Sequence, residues 1–345
     1  MEVNMAKSVK LADIAKELGV STVTVSNALL GKKGVSDKMR ELIWKKAQEM
    51  GYVKSAMMAL QPESTGHFCI GILISEKYLD NKNSFYWQVY KHLAALISKK
   101  GYVTMLEIIS GEDEKNAQMP NILPLEKLDG IIVIGKMEKQ YLLAISHGIS
   151  VPGLCLGFYL SDLEWDAVMA DNYDGMYALT NYMIAEGNRN LAFVGKIMTS
   201  DRKMNRYMGF SKALMEHGIS RKEHWMFLEE DLEIEHIARK LVQELPDGVL
   251  CVDDQTAEQL ISIFQKLNIT VPEDISVTGY DNFCFDWIIH SRLTTYEVDA
   301  KAMTEEALKI LVKRMMGLKQ KKSIRIIEGK LIMRDSVKKR KINEL

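Results

Sequence analysis

The feature that most constrains this chain is a change of period near residue 68. From there to about residue 281, apolar runs of strand length alternate with amphipathic stretches of helix length. FCIGILI (68–74), YVTMLEII (102–109), DGIIVIG (129–135) and VPGLCLG (151–157) are apolar almost throughout, so they need cover on both faces. Parallel sheets with crossover helices supply that cover. A second series starts near residue 168 with AVMAD and continues through NLAFVGKI (190–197), WMFLEED, GVLCVDD (248–254) and DISVTGYD (274–281). The pattern predicts helices over 86–99, 173–186, 203–217, 233–244, 255–267 and 299–317, with a strand pair around IRIIEG and KLIMR after the last. Two doubly wound units in tandem form either a clamshell or two unrelated α/β domains. In both cases ligands bind beyond the strand C-termini.

Ahead of this body, residues 9–30 read as two short helices joined by a tight turn. Leu11, Ile14, Ala15 and Leu18 fall at i, i+3, i+4 and i+7, one apolar face of a helix. Gly19 can end that helix in the left-handed conformation, and Ser21 is placed to cap the next one. In the second helix Val25 and Leu29 pack back, while Thr22, Val23, Ser26 and Asn27 point outward. A third helix, capped by Ser36, carries Met39, Ile43, Ala47 and Met50 along one side, and Gly51-Tyr52 closes the unit. This is the pattern of a DNA-binding helix-turn-helix, although a helical hairpin with a solvated face has the same spacing.

Composition separates these readings further. At 345 residues the chain is long enough for two or three domains. Its net charge of −1 divides unevenly: residues 1–60 hold ten Lys/Arg against six Asp/Glu, and the rest hold thirty-five against forty. The basic excess therefore sits where phosphate contacts need it. No leader peptide and no run of eighteen apolar residues is evident, so a cytoplasmic protein with no membrane partner is expected. Cys69, Cys155, Cys251 and Cys284 lie far apart and read as reduced thiols, and the seven histidines show no paired spacing, so neither metal nor cofactor is expected. Phosphate-loop, dinucleotide and nucleophile-elbow motifs are absent, so no catalytic residue is assigned. Asp253-Asp254 is an isolated acidic pair, better suited to one ligand hydroxyl and one helix cap than to acid–base catalysis.

These residues carry a specific resemblance. Leu11-Ala-Asp-Ile-Ala, Gly19-Val-Ser, Thr24-Val-Ser and Val35-Ser, spaced without gaps through Tyr52, resemble the headpiece of the LacI/GalR family of bacterial transcription regulators. In the body, Asp171-Asn172-x-x-Gly175, Glu186-Gly187-Asn188-Arg189, Arg206-Tyr-Met-Gly-Phe210, Pro272-Glu-Asp-Ile-Ser-Val277, Gly279-Tyr-Asp281 and Leu293-Thr-Thr295 look like family landmarks in their usual order. The resemblance implies an α/β chain: an N-terminal three-helix helix-turn-helix domain plus a two-lobed periplasmic-binding-protein-like domain of doubly wound parallel sheets. The expected boundaries are 1–54 for the head, 55–67 for a hinge and 68–345 for the effector-binding and dimerisation domain. Its first lobe covers about 68–168 and 299–321, and its second about 169–296 and 324–337.

For the head, the resemblance implies base reading by Thr22, Val23 and Asn27. Asn27 suits adenine, and Val23 or the Thr22 methyl suits a thymine methyl. Lys10, Ser21, Thr24 and Ser26 suit phosphates. Many family members carry arginine where Asn27 stands, so their operators do not transfer. Segment 53–67 is either a plain tether or a helix that folds on DNA and wedges a leucine into the minor groove; Leu60 is the chosen wedge, beside Gln61 at the gap-free position. Lys54 replaces a usual proline there.

For the body, the family's pocket positions fall on Ser75, Phe85, Tyr86, Phe158, Arg206, Asp253 and Asp281. Arg206 offers a fork of donors, the two aspartates accept from hydroxyls, and the aromatics suit either ring stacking or core packing. A surface ion pair is the plainer reading of Arg206. No leucine zipper follows Arg334, so a homodimer on a palindromic operator is expected. The expected function is a ligand-responsive repressor, most naturally of carbohydrate-utilisation genes, with a sugar effector between the lobes. A cytoplasmic sugar sensor without operator-specific DNA binding is the alternative.

Overall fold

The computed structural model describes residues 9–29, 34–50, 68–79, 85–124, 127–229, 233–283, 287–318 and 321–340. The proposed hinge, with Leu60, lies outside the described residues, as do Tyr52 and Cys284.

The head consists of α1 (Leu11–Leu18), α2 (Thr22–Leu29) and α3 (Asp37–Glu49). Gly19 ends α1 at φ +64°, where its amide reaches the Ala15 carbonyl, and a Cβ there would add backbone strain. The Ser21 hydroxyl accepts the Thr24 amide at 3.0 Å and so caps α2. Ile14, Ala15, Val25, Ala28, Leu29, Ile43 and Ala47 make a small buried core, which adds Ala28 to residues that the sequence periodicity picks out. Arg40 of α3 donates to the Ala28 carbonyl at 3.1 Å, tying the C-terminal half of α2 to the third helix.

The body carries two parallel sheets. The first has six strands in the order β11-β5-β4-β3-β1-β2. These are β1 (Cys69–Ser75), β2 (Val103–Ile109), β3 (Gly130–Ile134), β4 (Gly153–Leu156), β5 (Asp166–Ala170) and β11 (Ile324–Ile327). Its central strands are buried on both faces, as their unbroken apolar runs require. Helices α4 (Phe85–Lys99), α5 (Gly111–Asn116), α6 (Lys139–Gly148) and α12 (Ala300–Met315) belong to this lobe. The second sheet runs β7 (Met226–Phe227), β6 (Leu191–Val194), β8 (Gly248–Cys251), β9 (Ser276–Thr278). With it go α7 (Asn172–Ala185), α8 (Asp201–Glu216), α9 (Ile234–Gln243), α10 (Asp254–Lys266) and α11 (Trp287–Arg292). A third, antiparallel pair joins β10 (Thr295–Glu297) to β12 (Lys330–Ile332).

Two expectations about strand partners change. AVMAD does not open the second series: β5 pairs with β4 through Leu154 and Asp166 and belongs to the first sheet. Nor do IRIIEG and KLIMR pair with each other, because β11 lies parallel to β5 and β12 lies against β10. The physical reason is Asp166. Its carboxylate accepts from Arg314 of α12 at 2.7 Å and from the Ser323 amide at 2.7 Å, so the chain leaving α12 is held at the β5 edge. A run of apolar residues shows that a strand exists but not which neighbour it chooses.

Candidate functional site

On the head, the outer face of α2 is open. Val23 is 65% exposed, Thr22 is exposed and Asn27 is partly so, while Val25, Ala28 and Leu29 on the opposite face are buried. Lys10 is exposed just before α1. Ser21 and Thr24 are bonded to each other through their hydroxyls at 2.8 Å, so both are partly engaged in the cap. Ser26 is half-buried. The structure thus brings Thr22, Val23, Ser26 and Asn27 onto one helix with its back secured, a rod of the size a major groove admits.

On the body, the segments that follow β3 and β6 in the two sheets come together through Lys136 and Asp201. Arg206, on α8, is 1% exposed and almost wholly engaged. Its Nε donates to Asn172 at 2.9 Å, its Nη1 to the Val252 carbonyl at 2.7 Å, and its Nη2 to Asp281 at 2.5 Å. Its guanidinium lies 3.8 Å from the Tyr280 ring centroid, and Tyr280 stacks on Tyr296 at 5.1 Å. The Tyr280 hydroxyl donates to the Asp171 carbonyl at 2.7 Å, where the chain passes from β5 into the second lobe. Arg206 is therefore a buried, shaped cation, which excludes the surface ion pair. Asp281 adopts φ +102°, a conformation sparsely used by residues other than glycine, and its amide is held by the Tyr296 carbonyl at 2.9 Å. That strained backbone turns its carboxylate towards Arg206.

Asp253 caps α10, accepting from the Thr256 amide at 2.9 Å and hydroxyl at 2.6 Å, and also meets Lys203 at 3.1 Å. Burial alone would raise its carboxyl, but Lys203, Thr256 and Arg206 outweigh it and hold the group well below the usual carboxylate range. Asp254 behaves oppositely. Burial, with Asp281 and Asp253 adding to it against the bonds from Thr295 and the Phe283 amide, pushes its carboxyl up to about 8. The acidic pair thus splits into one charged cap and one acid that holds its proton at neutral pH. A polar concavity of about 340 Å³ opens beside Asp253, lined by Lys196, Lys203, Glu233, Gln255 and Gln259 among others.

In the first lobe, Ser75 is buried at the end of β1 and its hydroxyl donates to Glu114. Phe85 and Tyr86 open α4, with Tyr86 4% exposed and tilted against Tyr78 at 4.3 Å. Phe158 is 4% exposed within an apolar cluster with Leu163 and Trp165, so it packs as core. The structure therefore gathers Arg206 and Asp281 into one network with Asp253 nearby, sets Phe85 and Tyr86 on the facing lobe, and leaves Ser75 and Phe158 to internal contacts.

Residues to which the sequence analysis gave no site role, some of them quoted there only as landmarks, surround Arg206 and Asp254. Asn172, Tyr280 and Tyr296 shape Arg206, and Thr295 donates to Asp254 at 2.6 Å. Arg202 lies one helical turn before Arg206, and this i, i+4 spacing on one face was the available signal. Its guanidinium reaches across to the first lobe, 4.8 Å from the Tyr86 centroid and 5.3 Å from that of Phe85. Lys136 and Asp201 make a second link between the lobes at 2.6 Å.

The architecture has known counterparts. Residues 10–55 match the family described as "Bacterial regulatory proteins, lacI family", and residues 180–337 match a periplasmic binding protein-like domain. A curated relative, the HTH-type transcriptional repressor PurR of Vibrio vulnificus (strain CMCP6), is 27% identical over 335 residues, covering 95% of this chain and 98% of that protein. Among solved structures, a transcriptional regulator CelR–cellobiose complex superposes with a TM-score of 0.67 at 20% identity, over 95% of this chain and 99% of that one. The lac repressor dimer bound to operator and the anti-inducer ONPF gives 0.66 at 21% identity, over 96% and 100%.

Proposed function

The chain belongs to the LacI family of bacterial regulatory proteins, and from that premise we propose that it is a ligand-responsive, DNA-binding repressor rather than an enzyme. Two heads of a homodimer read the half-sites of a palindromic operator through Thr22, Val23 and Asn27, with Lys10 and the hydroxyls of Ser21, Thr24 and Ser26 on phosphates. A repressor of this kind meets its operator in the cytoplasm, which is the proposed location. A small-molecule effector sits between the lobes of 68–345, against Arg206, Asp281 and Asp253, with Phe85 and Tyr86 opposite. The solved relative holding cellobiose argues for a carbohydrate-like ligand. Differential binding to two lobe arrangements couples this cleft to segment 55–67, including Leu60, and through it to the heads.

One observation carries this reading. The exposed face of α2 has side chains free for bases while its other face is locked by Ile14 and Ile43 of the neighbouring helices. The test is selection of duplexes from a random palindromic pool by the full chain, then affinity for the selected operator with and without sugars. Selection of a palindrome that needs Asn27 is the expected result. Uniform binding across the pool at every ligand concentration rejects it.

A further inference from the structure

Arg202 is the group in the cleft that the contacts above do not satisfy. Its side chain is 16% exposed, and its Nη1 is buried without a hydrogen-bond partner. The nearest carboxylate oxygen is Oδ2 of Asp281 at 3.9 Å, beyond hydrogen-bond reach. Asp281 is already engaged by Arg206, from Nη2 at 2.5 Å and from Nη1 at 3.4 Å. Two guanidinium groups thus share one carboxylate.

The neighbouring ion pairs do not supply another. Lys203 is matched by Asp253 at 3.1 Å, and Lys136 by Asp201 at 2.6 Å. Asp254 holds its proton at neutral pH and adds no negative charge there. Among these groups one positive charge is left over, and it resides on Arg202. Phe85 and Tyr86 meet the guanidinium from the facing lobe through their rings, which steady a cation, and no hydrogen bond joins the Tyr86 hydroxyl to the buried Arg202 Nη1.

From this we infer that the effector carries an anionic oxygen group, a carboxylate or a phosphate ester, which the Arg202 fork receives at the lobe boundary between Asp281 and the Phe85–Tyr86 pair. The inference rests on the reading of this cleft as the effector site and narrows its ligand from sugars in general to acidic ones. A planar fork with two parallel donors suits either anion, whereas a neutral sugar hydroxyl accepts one N–H bond but brings no charge to match the surplus cation. The hydroxyls of the same ligand remain matched to Asp281 and Asp253.

The full chain is titrated calorimetrically at fixed ionic strength with gluconate, glucuronate, glucose 6-phosphate and glucose, alongside Arg202→Gln and Arg202→Lys. The expected result is binding of at least one anionic probe in preference to glucose. Arg202→Gln should weaken it by roughly 10- to 100-fold, the range of one charge-assisted hydrogen bond, and Arg202→Lys should weaken it less. Preference for the two sugar acids identifies a carboxylate ligand, and preference for glucose 6-phosphate identifies a phosphate ester. Equal or tighter binding of glucose, anion binding unchanged in Arg202→Gln, or no binding of any anionic probe overturns the inference. Operator selection by the wild-type chain is measured in parallel; its loss strikes at the repressor reading itself, so the two failures are distinguishable.

Discussion

The outer face of α2 and the Arg206 network both carry polar groups, but they keep them in opposite states. On α2, Thr22, Val23 and Asn27 face solvent from a helix held entirely by its apolar back. Between the lobes, Arg206 is bonded to Asp281, Asn172 and the Val252 carbonyl, and Asp253 to Thr256 and Lys203. The difference follows from what each surface meets. A groove of base edges is read by side chains with spare donors and acceptors, whereas the wholly buried Arg206 is satisfied within the protein and Arg202, one turn earlier, keeps a spare donor. Under the proposed function, pre-pairing also fixes the orientation of these charges before an effector arrives, so less ordering is left to binding.

The contrast breaks most easily at Arg206. Arg206→Ala breaks the buried pair with Asp281 and leaves that carboxylate only the more distant Arg202 at 3.9 Å, so about 3–5 kcal/mol of body stability should go, read as a lowered urea midpoint. A wild-type midpoint would mean that the network is not pre-paired. Asp254 offers the next largest effect. Its folded value of about 8 lies above the 3.8 of a free aspartate, so between those values the folded chain keeps a proton that the unfolded chain has released. Stability is therefore full below about pH 4 on this account and falls as pH rises through 8, by on the order of a few kcal/mol. Asp254→Asn should flatten that slope, and an unchanged pH profile of melting would refute the assignment.

On the head the expected effects are smaller and appear in binding. Asn27→Ala should cost about 1–3 kcal/mol at the selected operator and relax preference at one base pair, with no shift in melting. A loss spread evenly over all duplexes would recast Asn27 as a phosphate contact. Smallest is Ser21→Ala, which removes the α2 cap for about 1 kcal/mol and should speed hydrogen exchange in the head while leaving the cleft's ligand affinity alone.

Much of this was legible beforehand because it is local. Gly19 as a helix end, Ser21 as a cap and the Ile14–Val25–Ile43 core follow from periodicity and turn chemistry within about forty residues. The buried strands β1, β3 and β4 are equally plain in their apolar runs, whereas the similar run of β2 lies at the sheet edge with Val103 and Ile108 exposed. At the site, Arg206 and Asp281 stood out by motif, but the commitments of Ser75 to Glu114 and of Phe158 to the core depend on partners remote in sequence. Arg202 was overlooked for the same reason: an arginine on a helix reads as solvated until the facing aromatics are placed.

By itself, then, the amino-acid order determined the elements, the three-helix head and the two-sheet character of the body, because helix and strand periods are set by nearest neighbours. Only the tertiary structure decided that β5 and β11 belong together, through Asp166, Arg314 and Ser323, and that two arginines one turn apart must share a single aspartate. Strand partners and charge partners are long-range choices, settled by which groups burial brings within about 3 Å of each other, and no local pattern records that distance.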